Sequence, residues 1–327
     1  MKMKKIAITM GEPRGIGPEI IVKALFCTEI RNCCNPVVIG DAEVMKKAVE
    51  LTRLPVKVAP ISSLSGSKPA DGRIEVLHVR SYLSAKGISS EESGRAVVKY
   101  LRKAVSLADK KEVQAIVTAP ISKEALKMAG YKWPGHTELL AELTKTKEVA
   151  MMFISTKLKV ILATMHVPLK DVPAMIRHDL VYNKIELAKK GAEMIGIVNP
   201  RIAVAGLNPH AGESGIFGKE ELKAIIPAIE TAEEKGMDVS GPYPPDVVFH
   251  RAFKGDFDIV VCMYHDQGLI PFKMIAFETG VNMTVGLPVV RTSPDHGTAF
   301  DIAWKNEANP SSMIEAIKLA SKLEIKN

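Results

Sequence analysis

Three histidines in this sequence stand where short apolar runs end. The runs VILATMH, RIAVAGLNPH and DIVVCMYH end at His166, His210 and His265. In open α/β sheets, ligands bind beyond the carboxyl ends of the strands, so the three imidazoles can converge on one point. Three neutral imidazoles and an open coordination position make a catalytic divalent-metal site. The alternative is three ordinary loop or core histidines, and the sequence has no HExxH or CxxC pattern to decide between them.

The stretch that follows His265 also carries groups suited to binding an anion. Lys273 comes soon after the predicted strand end, Asn282 lies in GVNMTVGLP, and Arg291 lies in VVRTSPDHG. Lys and Arg beside a metal can hold a phosphate or carboxylate, and Arg can do so with two parallel hydrogen bonds. Each residue alone is typical of a solvated surface, so the hypothesis depends on their sharing this stretch with His265.

The N-terminal segment GEPRGIGPEI (11–20) superficially resembles a phosphate-binding loop. It contains neither GxGxxG nor GK[ST], so it matches neither the dinucleotide nor the P-loop fingerprint. Pro18 suits the first turn of a helix, and Glu19 is favourable near the positive end of the helix dipole. These residues predict a tight turn into a helix.

The elements that must position these residues alternate along the chain. Short runs rich in β-branched residues alternate with amphipathic stretches of helical length, which is typical of a largely parallel sheet covered on both faces. The predicted strands are 5–10, 36–41, 114–120, 160–166, 201–208 and 258–265. The predicted helices are 94–110, 183–196, 219–236 and 311–324. The pattern predicts an α/β fold.

Length, charge and cysteine usage narrow the class of protein. A chain of 327 residues favours two domains or one large α/β unit. Its net charge of +7 is dispersed, which suits anionic metabolites or simply a solvated surface, and no pattern indicates nucleic-acid binding. The first apolar run is too short for a signal peptide, and no later run reaches membrane length. Without CxxC spacing, the cysteines are expected to be reduced thiols of a cytoplasmic protein. They are Cys27, Cys33, Cys34 and Cys262.

Eight sequence blocks, in order from residue 5 nearly to the C-terminus, together resemble the 4-hydroxythreonine-4-phosphate dehydrogenase family of pyridoxal phosphate biosynthesis. The blocks are GEPRGIGPE, PGHTELLAELT, MMFIS, ATMHVPL, GLNPHAGE, GPYPPDVVF, MYHDQGL and GVNMTVGLPVVRTSPDHGTAFDIA. The tail HGTAFDIAWKNEANPSSMIEAI is also similar to isopropylmalate and isocitrate dehydrogenases, which bind the dinucleotide without GxGxxG. That property agrees with the missing fingerprint.

The resemblance implies a two-domain α/β/α fold with a mostly parallel sheet, like isocitrate and isopropylmalate dehydrogenases, with the active site in the interdomain cleft. We predict one α/β domain from residues 1–130 plus 280–327, which contains the predicted cofactor-binding region. The second, from residues 131–279, carries the metal and substrate histidines and the dimer interface. The family also implies a homodimer with a shared active site, in which metal ligands come from both subunits.

Carried over position by position, the family's functional residues fall into four groups. The metal ligands are His166, His210 and His265. The substrate contacts are His136, Thr137, Lys273, Asn282 and Arg291. The cofactor region contains Pro294, Asp295 and His296. The candidates for acid–base catalysis are His136, Asp246, Asp266 and Lys273, of which the two aspartates can instead orient a metal ligand and Lys273 is preferred as a substrate contact.

The implied reaction is the NAD-dependent oxidation of 4-phosphohydroxy-L-threonine to a β-keto acid that decarboxylates to 3-amino-2-oxopropyl phosphate. NADP is the alternative cofactor, and the divalent metal is zinc, magnesium, manganese or cobalt. One alternative keeps this chemistry on 4-phosphothreonate or 4-phosphoerythronate in sugar-acid catabolism. A more distant alternative is a metal-dependent phosphohydrolase, and a third is a phosphoacid-binding protein without activity.

Three residues depart from the family pattern. Arg14 stands at a turn position where the family often has a small residue, and this change is expected to affect access to the cleft. Trp304 and Asn306 replace the glycines usual in DIAGKG, near the predicted cofactor region. None of the three coincides with a carried-over metal or substrate position.

Overall fold

The computed structural model describes residues 3–67, 71–81 and 87–325. The strands are β1 (Lys5–Thr9), β2 (Asn35–Gly40), β3 (Lys57–Ile61), β4 (Arg73–His78), β5 (Ala115–Thr118), β6 (Ala150–Ile154), β7 (Lys159–Leu162), β8 (Ile202–Ala205), β9 (Val239–Tyr243), β10 (Ile259–Cys262), β11 (Val281–Val285) and β12 (Val290–Pro294). The α-helices are α1 (Gly17–Phe26), α2 (Thr28–Cys33), α3 (Ala42–Thr52), α4 (Ser90–Asp109), α5 (Lys123–Met128), α6 (His136–Leu143), α7 (Val172–Met175), α8 (His178–Met194), α9 (Ile226–Glu234), α10 (Pro245–Lys254), α11 (His265–Ala276) and α12 (Ser311–Lys322).

The chain divides into two compact units. Unit 1 comprises residues 1–147 and 287–325, and unit 2 comprises residues 148–286. The sequence interpretation placed the boundaries after residues 130 and 279. In the structure α6 packs on α4 and so belongs to unit 1, whereas β11 pairs with β6 and so belongs to unit 2. His136 and Thr137 are therefore residues of unit 1, and Asn282 is a residue of unit 2.

In unit 1 the strands are ordered β3–β4–β2–β1–β5–β12, and every neighbouring pair is parallel. Ile6, Ala7 and Ile8 of β1 are fully buried, as are the apolar residues of β5, because helices cover both faces. Helix α4 begins with a capping box, in which the Ser89 hydroxyl accepts from the Glu92 N–H and the Glu92 carboxylate accepts from the Ser89 N–H.

In unit 2 the strands are ordered β11–β6–β7–β10–β8–β9. The pairs β11–β6 and β6–β7 are antiparallel, and the pairs from β7 through β9 are parallel. Phe153 and Phe272, with ring centroids 5.7 Å apart, lie in the core between the sheet and α11. The predicted α/β fold with a mostly parallel sheet is confirmed.

All six predicted strands exist, but several end earlier than expected. Strand β10 stops at Cys262, and His265 begins α11 instead of extending the strand. Six strands were not anticipated from the sequence: β3, β4, β6, β9, β11 and β12. Two of them, β3 and β9, contain the prolines Pro60 and Pro242 and lie at the outer end of their unit's strand order, where a missing N–H is tolerated.

Within the described ranges, no helix combines the length and the apolarity needed to cross a membrane.

Candidate active site

Two of the three strand-end histidines come together in unit 2. Strands β7 and β10 are parallel neighbours, so their carboxyl ends lie at the same edge. Beyond the strands the pairing continues, because the Ala163 N–H donates to the Cys262 carbonyl at 2.8 Å and the Thr164 hydroxyl donates to the Met263 carbonyl at 2.8 Å. The rings of His166 and His265 consequently lie with their centroids 5.6 Å apart.

The imidazole of His265 is oriented by a neighbouring carboxylate. Its Nδ1 lies 2.7 Å from Oδ1 of Asp266, at the first turn of α11. A proton held on Nδ1 by this carboxylate leaves Nε2 as the nitrogen available to a ligand. Orienting a metal ligand is one of the two roles predicted for Asp266.

A cavity of about 240 Å³ opens beside the two histidines. Its lining combines imidazole and carboxylate groups with apolar side chains, as is usual for small-ligand sites. The lining residues are Met165, His166, Val167, Leu169, Val172, Tyr264, His265 and Asp266. The predicted strand-end edge of unit 2 is therefore a concave surface with polar groups.

His210 lies in a left-handed turn that follows β8. Its φ is 51°, and φ is also positive at Ala211 (54°), Glu213 (43°) and Ser214 (56°). Such a conformation costs about 1–2 kcal/mol for each residue with a Cβ, and stored backbone strain of this kind clusters at functional sites. The His210 Nδ1 lies 3.2 Å from Oε2 of Glu213, so this imidazole also has a carboxylate partner.

Among residues 3–67, 71–81 and 87–325, no three His, Cys, Asp or Glu side chains lie close enough together to bind one metal ion. Within these ranges, His166 and His265 form a pair, and no third such side chain completes a metal site with them. The donors themselves suit a divalent cation, because His265 and His210 each present Nε2 while a carboxylate lies at Nδ1.

A second group of predicted residues is buried in unit 1. Arg291, in β12, is 2% exposed, and its Nη2 donates to the Thr118 hydroxyl at 2.7 Å. Burial lowers the pKa of Arg291 to about 10, and the charge of Glu138 opposes that shift. Burial, and then the charge of Arg291, hold the pKa of His136 well below its usual range. Thr137, next to His136 in α6, is buried as well.

The buried atoms without a hydrogen-bond partner among the described residues include two from the predicted substrate-binding group, Nε2 of His136 in unit 1 and Oδ1 of Asn282 in unit 2. Buried polar atoms are normally satisfied, so an orphan atom fits a residue whose partner is a ligand. The other cationic candidate, Lys273, lies in the last turn of α11 with Nζ 5.6 Å from the centroid of the Phe277 ring.

The predicted cofactor residues follow the carboxyl end of β12 in unit 1. Pro294 ends the strand, and the Asp295 N–H donates to the Ser312 hydroxyl at 3.0 Å. Nearby, the Ile16 N–H donates to the Thr298 carbonyl at 3.1 Å, which joins this segment to the turn after β1. Since β1, β5 and β12 are parallel, these turns share the edge at which α/β sheets bind ligands, and the placement fits a dinucleotide.

The three departures from the family pattern lie together in unit 1. The Arg14 Nε donates to Oε1 of Glu12 at 2.8 Å, and its guanidinium carbon lies 5.5 Å from the centroid of the Phe300 ring. Trp304 has φ of 62° and Asn306 has φ of 63°, a conformation that favours glycine. Trp304 donates from Nε1 to the Pro13 carbonyl at 3.2 Å. The backbone conformation at both positions therefore suits the glycine that is usual in the family better than the residues present in this chain.

Other predicted residues have separate surroundings. Asp246 is exposed in the first turn of α10, where a carboxylate is favourable near the helix N-terminus. Two further histidines, His78 and His178, make structural contacts. His78 Nδ1 accepts from the Ala42 N–H, and His178 Nε2 lies 3.0 Å from the Thr231 hydroxyl.

Sequence reasoning missed the residues that hold the strand ends together. Buried Gln267 accepts from the Met263 N–H and donates to the Gly206 carbonyl, both at 2.7 Å, and so links the ends of β10 and β8. Buried Glu221 accepts from the two N–H groups that precede the His210 turn. The sequence signal that could have identified them is a polar residue at a position where the surrounding apolar pattern predicts burial.

Residues 32–320 match the family described as "Pyridoxal phosphate biosynthetic protein PdxA". A 4-hydroxythreonine-4-phosphate dehydrogenase of Desulforapulum autotrophicum is 49% identical over 97% of this chain and 94% of the relative. A D-threonate 4-phosphate dehydrogenase of Cupriavidus necator is 46% identical over 97% of this chain and 96% of the relative. The crystal structure of a 4-hydroxythreonine-4-phosphate dehydrogenase from Klebsiella pneumoniae has a TM-score of 0.88 to this chain, at 42% identity, over 97% of this chain and 98% of that one.

These relatives are dehydrogenases that match nearly the whole chain, so the resemblance found in the motifs is confirmed and the protein is an oxidoreductase. The chain belongs to the family of the pyridoxal phosphate biosynthetic protein PdxA.

Proposed function

We propose that this chain oxidises the secondary hydroxyl of 4-phosphohydroxy-L-threonine with NAD, in the biosynthesis of pyridoxal 5'-phosphate. The product is a β-keto acid that loses carbon dioxide to give 3-amino-2-oxopropyl phosphate. The observation that carries the proposal is the pair His166 and His265 beside a cavity, with Asp266 at Nδ1 of His265. The name of the Desulforapulum relative supports the choice of substrate.

Three histidines are proposed to hold a divalent cation: His166, His210 and His265. Bound there, zinc, magnesium, manganese or cobalt would lower the pKa of the substrate hydroxyl and stabilise negative charge as carbon dioxide leaves. In the neutral imidazole, the carboxylates of Asp266 at His265 and of Glu213 at His210 favour the tautomer with its proton at Nδ1, which directs Nε2 toward a ligand.

The substrate's anionic groups need cations that remain charged. Arg291 remains protonated at neutral pH, since its pKa of about 10 is still well above 7. Its planar guanidinium suits a phosphate or carboxylate. Lys273 is proposed as a second contact, and Thr137 and Asn282 as hydrogen-bonding partners. His136 is neutral at pH 7 because its pKa is well below the usual range, so it fits a hydrogen-bonding role better than that of a strong base.

The proton acceptor is proposed from Asp246, Asp266 and Lys273. The contact of Asp266 with His265 favours an orienting role for that carboxylate, which leaves Asp246 and Lys273 as the acceptors to test by substitution. The hydride is accepted by the nicotinamide of NAD, or of NADP, bound at the segment that contains Pro294, Asp295 and His296.

D-Threonate 4-phosphate is a second candidate substrate, because the Cupriavidus relative of equal coverage is named for it. The two substrates differ at C2, where one carries an amine and the other a hydroxyl. Both present the same C3 hydroxyl, carboxylate and phosphate to the groups named above. The choice between them therefore depends on the residues that contact C2.

The proposal is tested by following NADH absorbance with each substrate, with and without a chelator. We expect NADH to form from 4-phosphohydroxy-L-threonine, to stop on chelation, and to return when Zn²⁺, Mg²⁺, Mn²⁺ or Co²⁺ is added. Faster turnover of D-threonate 4-phosphate would transfer the assignment to the second candidate. Phosphate release without any nicotinamide cofactor would instead indicate a hydrolase and overturn the proposal.

We also propose a homodimer, because α11 has a second apolar face. Ile270, Met274 and Phe277 are 61%, 85% and 70% exposed, and their spacing places them along one side of the helix. Exposed apolar stripes of this kind mark protein interfaces. Since α11 begins at His265, a second copy on this stripe lies close to the cavity, in agreement with a shared site. Met274→Glu should produce a monomer in sedimentation measurements, and a monomeric wild-type chain would contradict the assignment.

The cysteine spacing, typical of a chain kept reduced, supports a cytoplasmic location for this reaction.

A further inference from the structure

The turn that carries His210 is held by a carboxylate from outside it. Oε1 of Glu221 accepts from the N–H of Leu207 and from the N–H of Asn208, both at 2.8 Å. Oε2 of the same carboxylate accepts from Nδ2 of Asn208 at 2.9 Å. Glu221 is only 1% exposed, so its charge is removed from water and stabilised by these amide donors.

The chain packs closely around the Glu221 carboxylate. A Cβ added to Gly212, in the middle of the turn, would lie 2.7 Å from Oε2 of Glu221. A Cβ added to Gly206 would lie 2.8 Å from Cα of Ala211. The carboxylate is thus in contact with the turn and with the residues that lead into it, so any displacement of Glu221 must also displace the backbone of the turn.

The segment that leads from β8 into the turn, residues 206–208, is held by two different side chains. The Gly206 carbonyl accepts from Gln267, which holds the start of the segment to the end of β10. Glu221 then fixes the next two residues and lies in a π-helical turn, Glu221–Ile225, that leads into α9. After Pro209, residues 210–214 take the left-handed conformation, although all of them except Gly212 carry a Cβ that disfavours it.

We propose that Glu221 is a positioning residue, which imposes the left-handed turn and thereby places the His210 imidazole for a divalent cation. This role of His210 rests on the proposed function. Glu221 itself is buried against the turn and binds no ligand. Its effect on the reaction is transmitted through the backbone of Leu207 and Asn208.

The first test compares Glu221→Gln with the matched variant Glu220→Gln. Glutamine at 221 can accept from the two N–H groups but brings its own NH₂ toward Nδ2 of Asn208, which already donates to Glu220. Glu220→Gln weakens only that side-chain contact and leaves both backbone anchors. We expect hydrogen exchange of residues 207–215 to accelerate at least about 10-fold in Glu221→Gln and less than about 3-fold in Glu220→Gln.

The second readout is the affinity of the purified chain for Co²⁺ alone, followed by its visible absorption. Groups that orient a metal ligand typically change affinity about 10–100-fold, and we expect a loss of that size in Glu221→Gln. His210→Ala is measured alongside. Should Glu221→Gln not fold, Asn208→Ala removes one donor and is expected to give a smaller loss of affinity, about 3–10-fold, with the same faster exchange.

Unchanged exchange in Glu221→Gln, or in Asn208→Ala if that is the variant that folds, would overturn the proposal. So would unchanged Co²⁺ affinity in a series where His210→Ala weakens binding, and this result would leave the proposed function intact. If His210→Ala also binds Co²⁺ like the wild type, the metal role of His210 in the proposed function fails, and the purpose assigned to Glu221 fails with it.

Discussion

The two groups of candidate residues differ in their exposure to water. In unit 1, Arg291 and Thr137 are buried, and His136 has a buried Nε2 and a lowered pKa. In unit 2, His166 and His210 are exposed and His265 is half-buried at the edge of a cavity. One group is built into the interior of its unit, whereas the other lies at the carboxyl ends of strands.

This difference predicts which substitutions change both stability and activity and which change activity alone. A buried guanidinium must be stabilised by protein groups such as Thr118, so its substitution should disturb the fold as well as the reaction. Exposed imidazoles are solvated by water and contribute little to folding, so their substitution should affect the reaction alone. Substitutions in the two groups can therefore confirm or refute the contrast.

The largest effect is expected for Arg291→Ala. The free energy of unfolding should fall by about 2–4 kcal/mol, because the change leaves a cavity and removes the partner of the buried Thr118 hydroxyl. Activity should fall as well. Urea denaturation measures the first effect, and Arg95→Ala, which loses an exposed ion pair with Glu91 on α4, should stay within about 1 kcal/mol of the wild type. Equal stability of wild type and Arg291→Ala would contradict the contrast.

His265→Ala should separate activity from stability. Turnover is expected to drop at least about 100-fold, because a proposed metal ligand is lost. The free energy of unfolding should change by no more than about 0.5 kcal/mol. A stabilisation by added Zn²⁺, seen in the wild type by thermal unfolding, should be reduced or absent in the variant. A large loss of stability in urea would mean that His265 belongs to the fold and not to the reaction.

His136 should make the protein less stable in acid. Its pKa in the folded chain is lowered, so between that value and the unfolded value of about 6.5 the unfolded state binds more protons. This contribution to stability is present above about pH 6.5 and is lost as the pH falls through the folded pKa. In His136→Asn, the decline in unfolding free energy from about pH 7.5 to about pH 5.5 should be shallower than in the wild type. His250→Asn, at an exposed position, should decline like the wild type, and parallel curves for all three would refute the prediction.

The smallest effects are expected at the two residues that replace the usual glycines in unit 1. Asn306→Gly should raise the free energy of unfolding by up to about 0.5 kcal/mol, because glycine accepts a φ of 63° without strain. Trp304→Gly should instead lower it by about 1 kcal/mol, because the hydrogen bond to the Pro13 carbonyl is lost. Urea denaturation measures both changes, and a rise in Trp304→Gly as well would show that the tryptophan bond does not stabilise the fold.

The sequence allowed a correct prediction of the α/β fold, and the structure brings two of the three strand-end histidines close together. β-Branched runs indicated buried parallel strands, and the rule for strand ends brings His166 and His265 to the same edge. The beginning of α11 at His265 was not predicted, because Pro271 and the apolar run around it obscured the helical pattern. The predicted boundary at residue 130 differs from the division near residue 147, since α6 packs on α4 in unit 1, a contact that a linear pattern does not show.

The order of residues determines the local chemistry. It indicates which strands are buried and which of them end in a histidine, and it places a carboxylate directly after His265. Contacts between distant segments depend on the folded backbone. Arg291 meets Thr118 across 173 residues, and Glu221 reaches Asn208 across 13 residues because a left-handed turn folds the chain back on itself. The physical reason is that burial and hydrogen bonding are satisfied by whichever groups the fold makes neighbours. Periodicity in a sequence indicates that a residue is buried, but it does not name the partner that compensates for the burial.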